Sequence, residues 1–112
     1  MLGAVSEATG SLLSRFAGKL ESSGYVVMSG TEDDELSVAK DGHRFQLLFS
    51  TSQLERSLRD GQEDALIVWG PGVTVEESLA RFMTIHLDES LATATDANID
   101  GRWRYTGSFF VR

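Results

Sequence analysis

The chain has 112 residues, 41% hydrophobic and 24% charged, which is the composition of one ordinary globular domain. It contains no cysteine, and this excludes disulfides, cysteine-ligated zinc and thiol chemistry. Its net charge of −7 disfavours a nucleic-acid ligand, so we expect a basic protein partner instead. Because the sequence shows neither a basic leader nor an apolar run near the roughly 20 residues of a membrane helix, we expect a cytoplasmic protein without a membrane partner.

The first predicted element is a helix that ends at Ser23. Four apolar residues share one face of it: Leu12, Leu13, Phe16 and Leu20. Gly24 can adopt the left-handed conformation of a Schellman cap, and Tyr25 can then pack back on the last apolar residue of the helix. A short apolar strand is predicted over residues 25–29, and an exposed turn over residues 30–33.

A β-hairpin over residues 34–50 is the clearest predicted element. Asp41-Gly42 favours the type I′ turn, whose twist matches that of paired strands. Counting outward from this turn pairs Lys40 with His43, Val38 with Phe45, and Leu36 with Leu47. The register places five apolar side chains on one face: Leu36, Val38, Phe45, Leu47 and Phe49. Leu48 is the exception and falls on the opposite face.

A short helix and a strand are predicted next. Ser52 and Glu55 have the spacing of a capping box, and Gly61 supplies the stop of this helix. The continuous apolar run over residues 65–69 predicts an interior strand that is covered on both faces. Gly70-Pro71-Gly72 then ends the strand in a turn.

The last predicted elements are a long helix and a terminal strand. Thr74 and Glu77 form a second capping box, and the helix extends to about Ala92. Its apolar face consists of Leu79, Phe82, Met83, His86, Leu87 and Leu91. Alternating residues then predict a strand over residues 102–112, in which Gly107 marks a bulge.

The element order α-β-β-β-α-β-α-β predicts a single α+β domain over residues 1–112. Two main helices and one short helix would accompany a mainly antiparallel five-stranded sheet. The helices are expected to cover the apolar hairpin face with Leu12, Phe16, Leu20, Leu79, Phe82 and Leu87. Because residues 65–69, Leu48 and Phe110 imply that the second face is covered too, a protein partner or a second copy in a homodimer is expected there.

Residues 96–101 match the first half of a calcium-binding EF-hand loop. The second half fails, because Gly107 stands where a bidentate carboxylate is needed. Arg102 and Arg104 also place positive charge at the position of the ion. An Asx-rich turn accounts for the same residues, and we expect no metal and no cofactor.

Two further motifs suggest chemistry but fit structural roles. Gly70-Pro71-Gly72 precedes a helix, where backbone amides can bind an anion, but Glu76 and Glu77 would repel a phosphate. His86 lies near Asp88 in sequence, which suggests a general base. No nucleophile is marked beside it, so an edge-of-core histidine is the simpler interpretation and we expect no catalytic residue.

Two acidic clusters are expected to lie in exposed loops. They comprise Asp33, Asp34 and Glu35, and Asp60, Glu63 and Asp64. If they converge in space, they form an anionic surface for a basic protein, with Trp69 or Trp103 as an aromatic anchor. Solvated loops and core tryptophans account for the same residues without any partner.

These features favour a non-enzymatic protein-binding domain that occludes a partner, such as an immunity protein, an antitoxin or another small inhibitor. A second hypothesis is a secretion-type chaperone, to which the order helix, three strands, helix, strand is similar at fold level, although the late long helix departs from it. A third is a small-ligand-binding or enzymatic domain with its site around His86, Trp69 and residues 70–72. A pocket with a shifted histidine pKa would favour the third hypothesis, and a flat acidic face the first.

Overall fold

The computed structural model describes residues 7–29, 34–94 and 99–112. Its elements are α1 (Glu7–Ser22), β1 (Val26–Ser29), β2 (Glu35–Lys40), β3 (His43–Leu48), α2 (Thr51–Asp60), α3 (Gln62–Trp69), α4 (Val75–Thr93), β4 (Gly101–Tyr105) and β5 (Phe110–Val111). The strands form one sheet in the order β1-β2-β3-β4-β5. Neighbouring strands are antiparallel except β3 and β4, which run parallel. The predicted α+β class with a mainly antiparallel five-stranded sheet is confirmed.

The end of α1 is the predicted Schellman cap. Gly24 has a φ of 96°, in the left-handed region that glycine tolerates best. The N–H of Tyr25 donates to the carbonyl of Leu20 at 3.0 Å, and the N–H of Gly24 to that of Glu21 at 3.1 Å. Both bonds satisfy carbonyls that the helix itself leaves without a partner. The cap therefore turns the chain directly from α1 into β1.

The β2–β3 hairpin has the predicted register. Asp41 and Gly42 have φ values of 54° and 85°, as a type I′ turn requires. The expected pairs form, from Lys40 opposite His43 to Leu36 opposite Leu47. The face that carries Phe45 is buried against the helices, whereas Arg44 on the opposite face is exposed.

The core lies between this sheet face and the helices α1 and α4, which pack against each other. Its buried members include Leu12, Phe16, Leu20, Val38, Phe45, Leu47, Phe49, Met83, Leu87, Trp103 and Phe110. Leu36 and Leu79 are partly buried at its margin. Phe82 was expected in this core but instead contacts Trp69 on the outer side of α4, with ring centroids 5.6 Å apart.

The predicted interior strand over residues 65–69 is wrong, because these residues form the second half of α3. The N–H of Ala65 donates to the carbonyl of Gly61 at 2.9 Å, which is the spacing of an α-helical hydrogen bond. Gly61 is also the residue that caps the end of α2. An apolar run without clear periodicity fits a helix as well as a strand, and the polar residues Gln62, Glu63 and Asp64 supply the first turn. The structure therefore has two long and two short helices in its described part.

The predicted terminal strand is two strands, β4 and β5, joined by a turn. Gly107 has a φ of 100°, and it lies in this turn rather than in a bulge. The N–H of Thr106 donates to the carbonyl of Phe109 at 2.8 Å, which closes the turn. Thr74 is the N-cap of α4, as predicted, and accepts a bond from the N–H of Glu77, but the Glu77 carboxylate pairs with Lys19 of α1 rather than closing a capping box. Helix α2 is capped by Ser50 instead of Ser52.

In the described part of the chain, no helix is both long and apolar enough to cross a membrane.

Candidate functional site: an aromatic row on the outer side of α3 and α4

Helix α4 carries more apolar side chains than its contact with the core can bury. Ala80, Met83 and Leu87 face the core and are buried. Phe82 and Ile85 lie on the adjoining face, one helical turn apart, and are only partly covered. The apolar stripe predicted from the sequence therefore divides between two surfaces.

Four ring side chains follow one another along this second surface. The ring centroids of Trp69 and Phe82 lie 5.6 Å apart, those of Phe82 and His86 6.3 Å, and those of His86 and Phe109 6.2 Å. We call Trp69, Phe82, His86 and Phe109 the aromatic row. The guanidinium carbon of Arg81 lies 4.8 Å from the centroid of Trp69, which is cation–π contact at one end of the row.

Exposed aliphatic side chains border the aromatic row. Val68, next to Trp69 on α3, is 53% exposed, and Ile85, one turn from Phe82 on α4, is 45% exposed. Ile67 is 77% exposed but falls on the opposite side of α3 from Trp69. Phe109, the last member of the row, is itself 63% exposed. Contiguous exposed apolar patches on monomeric proteins commonly mark binding surfaces.

Two local structures hold the ends of the aromatic row. At one end, Ala65 and Trp69 lie four residues apart and share one side of α3; Ala65 is buried there, and Trp69 contacts Phe82 of α4. At the other end, the β4–β5 turn presents Phe109. The Tyr105 hydroxyl donates to the carbonyl of Gly107 at 3.1 Å, and the Gln53 side-chain amide donates to the carbonyl of Thr106. These bonds anchor the turn to the sheet and to α2.

The surroundings of His86 do not resemble those of a general base. Its Nδ1 is buried and has no hydrogen-bond partner among the described residues. The nearby carboxylate of Asp88 instead accepts a hydrogen bond from the Tyr25 hydroxyl at 2.7 Å. Burial, and then this bond to Asp88, raise the pKa of Tyr25 above its ordinary value. The Phe82 ring lies between His86 and Trp69, so these two predicted site residues share a surface without direct contact.

A groove of about 440 Å³ adjoins the Phe109 end of the row. It runs between the C-terminal part of α4 and β5. Ser90 and Thr93 line one side, and Phe109 and Val111 line the other, with Trp103 also contributing. Its walls are mostly apolar, so the groove extends the apolar surface beyond the row itself.

The first predicted acidic cluster is not a set of exposed loop carboxylates. Asp33 lies outside the described residues, and Asp34 is half-buried. Glu35 belongs to strand β2 and is only 4% exposed. Its carboxylate lies 3.5 Å from the Arg102 guanidinium and accepts a bond of 3.4 Å from the Gln46 amide. Glu35 is therefore a buried residue of the sheet, and the prediction that placed it in an exposed loop was wrong.

The second acidic cluster begins at the far end of α2. Asp60 is the last residue of that helix and is exposed. Glu63 and Asp64 lie in α3, and their side chains are not among those that the structure describes. The main chain of Asp34 contacts Phe49, just before α2 begins. Because nine residue steps of helix rise about 14 Å, Asp34 and Asp60 flank opposite ends of α2. Trp69, the predicted anchor, belongs to the aromatic row.

The predicted turn at Gly70-Pro71-Gly72 is present. Gly70 and Gly72 have φ values of 88° and 93° and lie in the expected turn between α3 and α4. Residues 96–98 of the calcium-like string fall outside the described residues. Within the described ranges, no three His, Cys, Asp or Glu side chains are grouped so that they could hold a metal ion.

No protein-family model, curated protein or solved structure matches this chain. The surface geometry must therefore carry the functional interpretation. Sequence reasoning missed Ile67, Val68 and Phe109 as surface residues, because all three were assigned to strands. The available signal was the width of the α4 stripe, which places Phe82, Ile85 and His86 beside the residues that fill the core.

Proposed function

We propose that this chain is a non-enzymatic protein-binding domain, of the kind that occludes a partner, and that the aromatic row and its aliphatic border form the contact surface. The observation that carries the proposal is the continuity of four ring side chains that ends in the exposed Phe109. Aromatic side chains supply much of the binding energy at protein interfaces, because they bury a large area with few rotatable bonds.

The exposed groups at this surface are large enough to support binding. Burying a fully exposed Phe or Ile side chain is worth about 1.5–3 kcal/mol. Val68, Ile85 and Phe109 are each exposed by about half or more. Their combined burial would therefore contribute several kcal/mol, which is enough to offset part of the cost of association.

The charge of the chain supports a basic partner. The net charge of −7 attracts a positively charged protein at long range, and this attraction raises the association rate more than the final affinity. The exposed Asp60 belongs to this field. The proposed division of roles is that acidic residues steer the encounter while the aromatic row makes the contact.

Site-specific crosslinking tests the contact surface. A photoreactive phenylalanine analogue would replace Phe109 in cells that make the protein, and the same analogue would replace Val26 as a control. Val26 is 60% exposed on β1, the strand at the other edge of the sheet. We expect one predominant protein adduct from position 109, and position 26 should not give that adduct.

Affinity measurements with the captured partner then test the energetics. Phe109→Ser should weaken binding by about thirtyfold, which corresponds to roughly 2 kcal/mol of lost apolar burial. Val68→Ser should also weaken binding, whereas Val26→Ser is the matched control and should not. Equal crosslinking from both positions, or an affinity that Phe109→Ser leaves unchanged, would contradict the proposed surface.

A further inference from the structure

The face of the sheet opposite the helices carries arginines on two neighbouring strands. Trp103 and Tyr105 of β4 are buried on the helical side, so Arg102 and Arg104 project from the other side. Arg44 of β3 projects from the same side, because its neighbour Phe45 faces the core. We call the surface formed by Arg44, Arg102 and Arg104 the arginine face.

The three arginines are evenly spaced along the strands. Gln46 pairs with Arg102 in the β3–β4 register. Arg44 lies two residues before this pair, and Arg104 lies two residues after it. A step of two residues along a strand is about 6.7 Å, so positive charges recur at successive steps of this length. Side chains on one side of an extended peptide recur at the same interval.

The arginine face is available to bind an anionic partner. Arg102 is held in place by the buried Glu35, with 3.5 Å between the guanidinium and the carboxylate. Arg44 and Arg104 are exposed and form no ion pair with any residue that the structure describes. Leu48 and Val111 pair with Arg104 on its two sides in the sheet, and they line a shallow groove of about 260 Å³ together with Arg102, Arg104 and Arg112.

We propose that the arginine face binds an extended acidic segment of a protein, with carboxylates at alternate positions. Charge complementarity identifies the occupant: arginine pairs well with carboxylates, and the alternate spacing fits both chains. Single-stranded nucleic acid fits less well, because no aromatic side chain for base stacking lies among the described residues of this face.

This inference is independent of the aromatic row, which lies on the helical side of the sheet. The two surfaces differ in chemistry, since one is apolar and the other cationic. They would therefore take different partners or different parts of one partner.

Fluorescence anisotropy at low salt tests the proposal. The probe is a labelled short peptide with glutamate at every second position and threonine between, and the comparison peptide has glutamine in place of glutamate. We expect saturable binding of the glutamate peptide alone, and an affinity that falls with added salt.

Two double variants with the same change in net charge locate the site. Arg44→Gln with Arg104→Gln should weaken binding about tenfold, since each exposed charge contact is worth up to about 1 kcal/mol. Arg56→Gln with Arg59→Gln removes two arginines from α2 and should change the affinity by less than about twofold. In the wild-type protein, amide resonances of β3 and β4 should shift on peptide binding while those of α1 do not.

Three results would overturn the inference. The first is no binding of the glutamate peptide, and the second is equal weakening by both double variants, which would reflect net charge alone. The third is tighter binding of oligothymidylate through the same arginines, which would make phosphate the ligand. Phe109→Ser should leave peptide binding intact, so failure of this inference is distinguishable from failure of the proposed function.

Discussion

Replacing Glu77 with glutamine should loosen the packing of α1 against α4. One carboxylate of α4 meets three cations: Lys19 Nζ at 2.6 Å, Arg81 Nε at 3.4 Å and Arg15 Nη1 at 3.7 Å. Lys19 and Arg15 belong to α1, so the ion pairs join the two long helices of the core. The Glu77→Gln substitution keeps the size of the side chain and removes its charge.

The expected loss of unfolding free energy follows from the exposure of these groups. The Glu77 side chain is 21% exposed, and those of its partners are 36–48% exposed, so solvent screens every pair. Partly exposed ion pairs contribute about 0.2–1 kcal/mol each, with the short bond from Lys19 at the upper end of this range. The three together predict a loss of about 1.5 kcal/mol at neutral pH.

The loss should depend on pH in a defined direction. The hydrogen bond from Lys19 lowers the pKa of Glu77 below its ordinary value of 4.5; burial opposes this effect, and the charges of Lys19, Arg81 and Arg15 assist it. A carboxylate with a lowered pKa in the folded state stabilises the protein above the unfolded pKa. This stabilisation disappears as the pH falls through the folded pKa. The stability difference between wild type and Glu77→Gln should therefore vanish in acid.

Urea unfolding of wild type, Glu77→Gln and Glu76→Gln at neutral and acidic pH provides the test. Glu76 is the matched control, because it lies in the same helical turn but makes no ion pair with a described residue. Its replacement should cost within about 0.5 kcal/mol. Equal losses for the two variants at neutral pH would refute the reasoning, as would a Glu77→Gln loss that persists at acidic pH.

Two further predictions concern the core and the tyrosines. Phe45→Ala should lower the unfolding free energy in urea by about 3–5 kcal/mol, because the ring is buried against Trp103, whereas the loss from Arg44→Ala should be within about 0.5 kcal/mol. Burial raises the pKa of Tyr105 to about 12, and burial together with Asp88 raises that of Tyr25 further. The raised pKa of each phenol stabilises the fold below the unfolded value of 10, and this stabilisation is lost as the pH rises through the folded pKa. An absorbance titration of the folded protein should therefore show no tyrosinate near pH 10. A tyrosinate transition centred at pH 10 in the folded protein would contradict this prediction.

Elements whose signals are local could be predicted from the sequence. The hairpin register follows from Asp41-Gly42 and the period-two alternation on either side, because a shift by one residue would expose every apolar side chain. The same holds for the Schellman cap at Gly24 and for the cap at Thr74. In each case the residues that determine the conformation lie within a few positions of one another.

The candidate surface could be predicted only in part. The apolar residues of α4 were identified correctly, and Trp69 was selected as an aromatic anchor. Phe109 was not, because alternation extends through it and conceals the turn that begins at Thr106. The acidic residue Glu35 was assigned to a loop, because its partner Arg102 lies far away in sequence.

Residues 65–69 show most directly what the sequence determined and what the tertiary structure decided. Their sequence requires that part of the run be buried, and Ala65 and Trp69 do pack against other residues. An uninterrupted apolar run does not distinguish a helix from a strand, since it satisfies both periods. The position next to β3 is occupied by β4, and the run lies on α4, where a helix can form all its backbone bonds internally. Which strand pairs with which depends on contacts distant in sequence, and that choice also left Phe109 and the three arginines of the arginine face exposed.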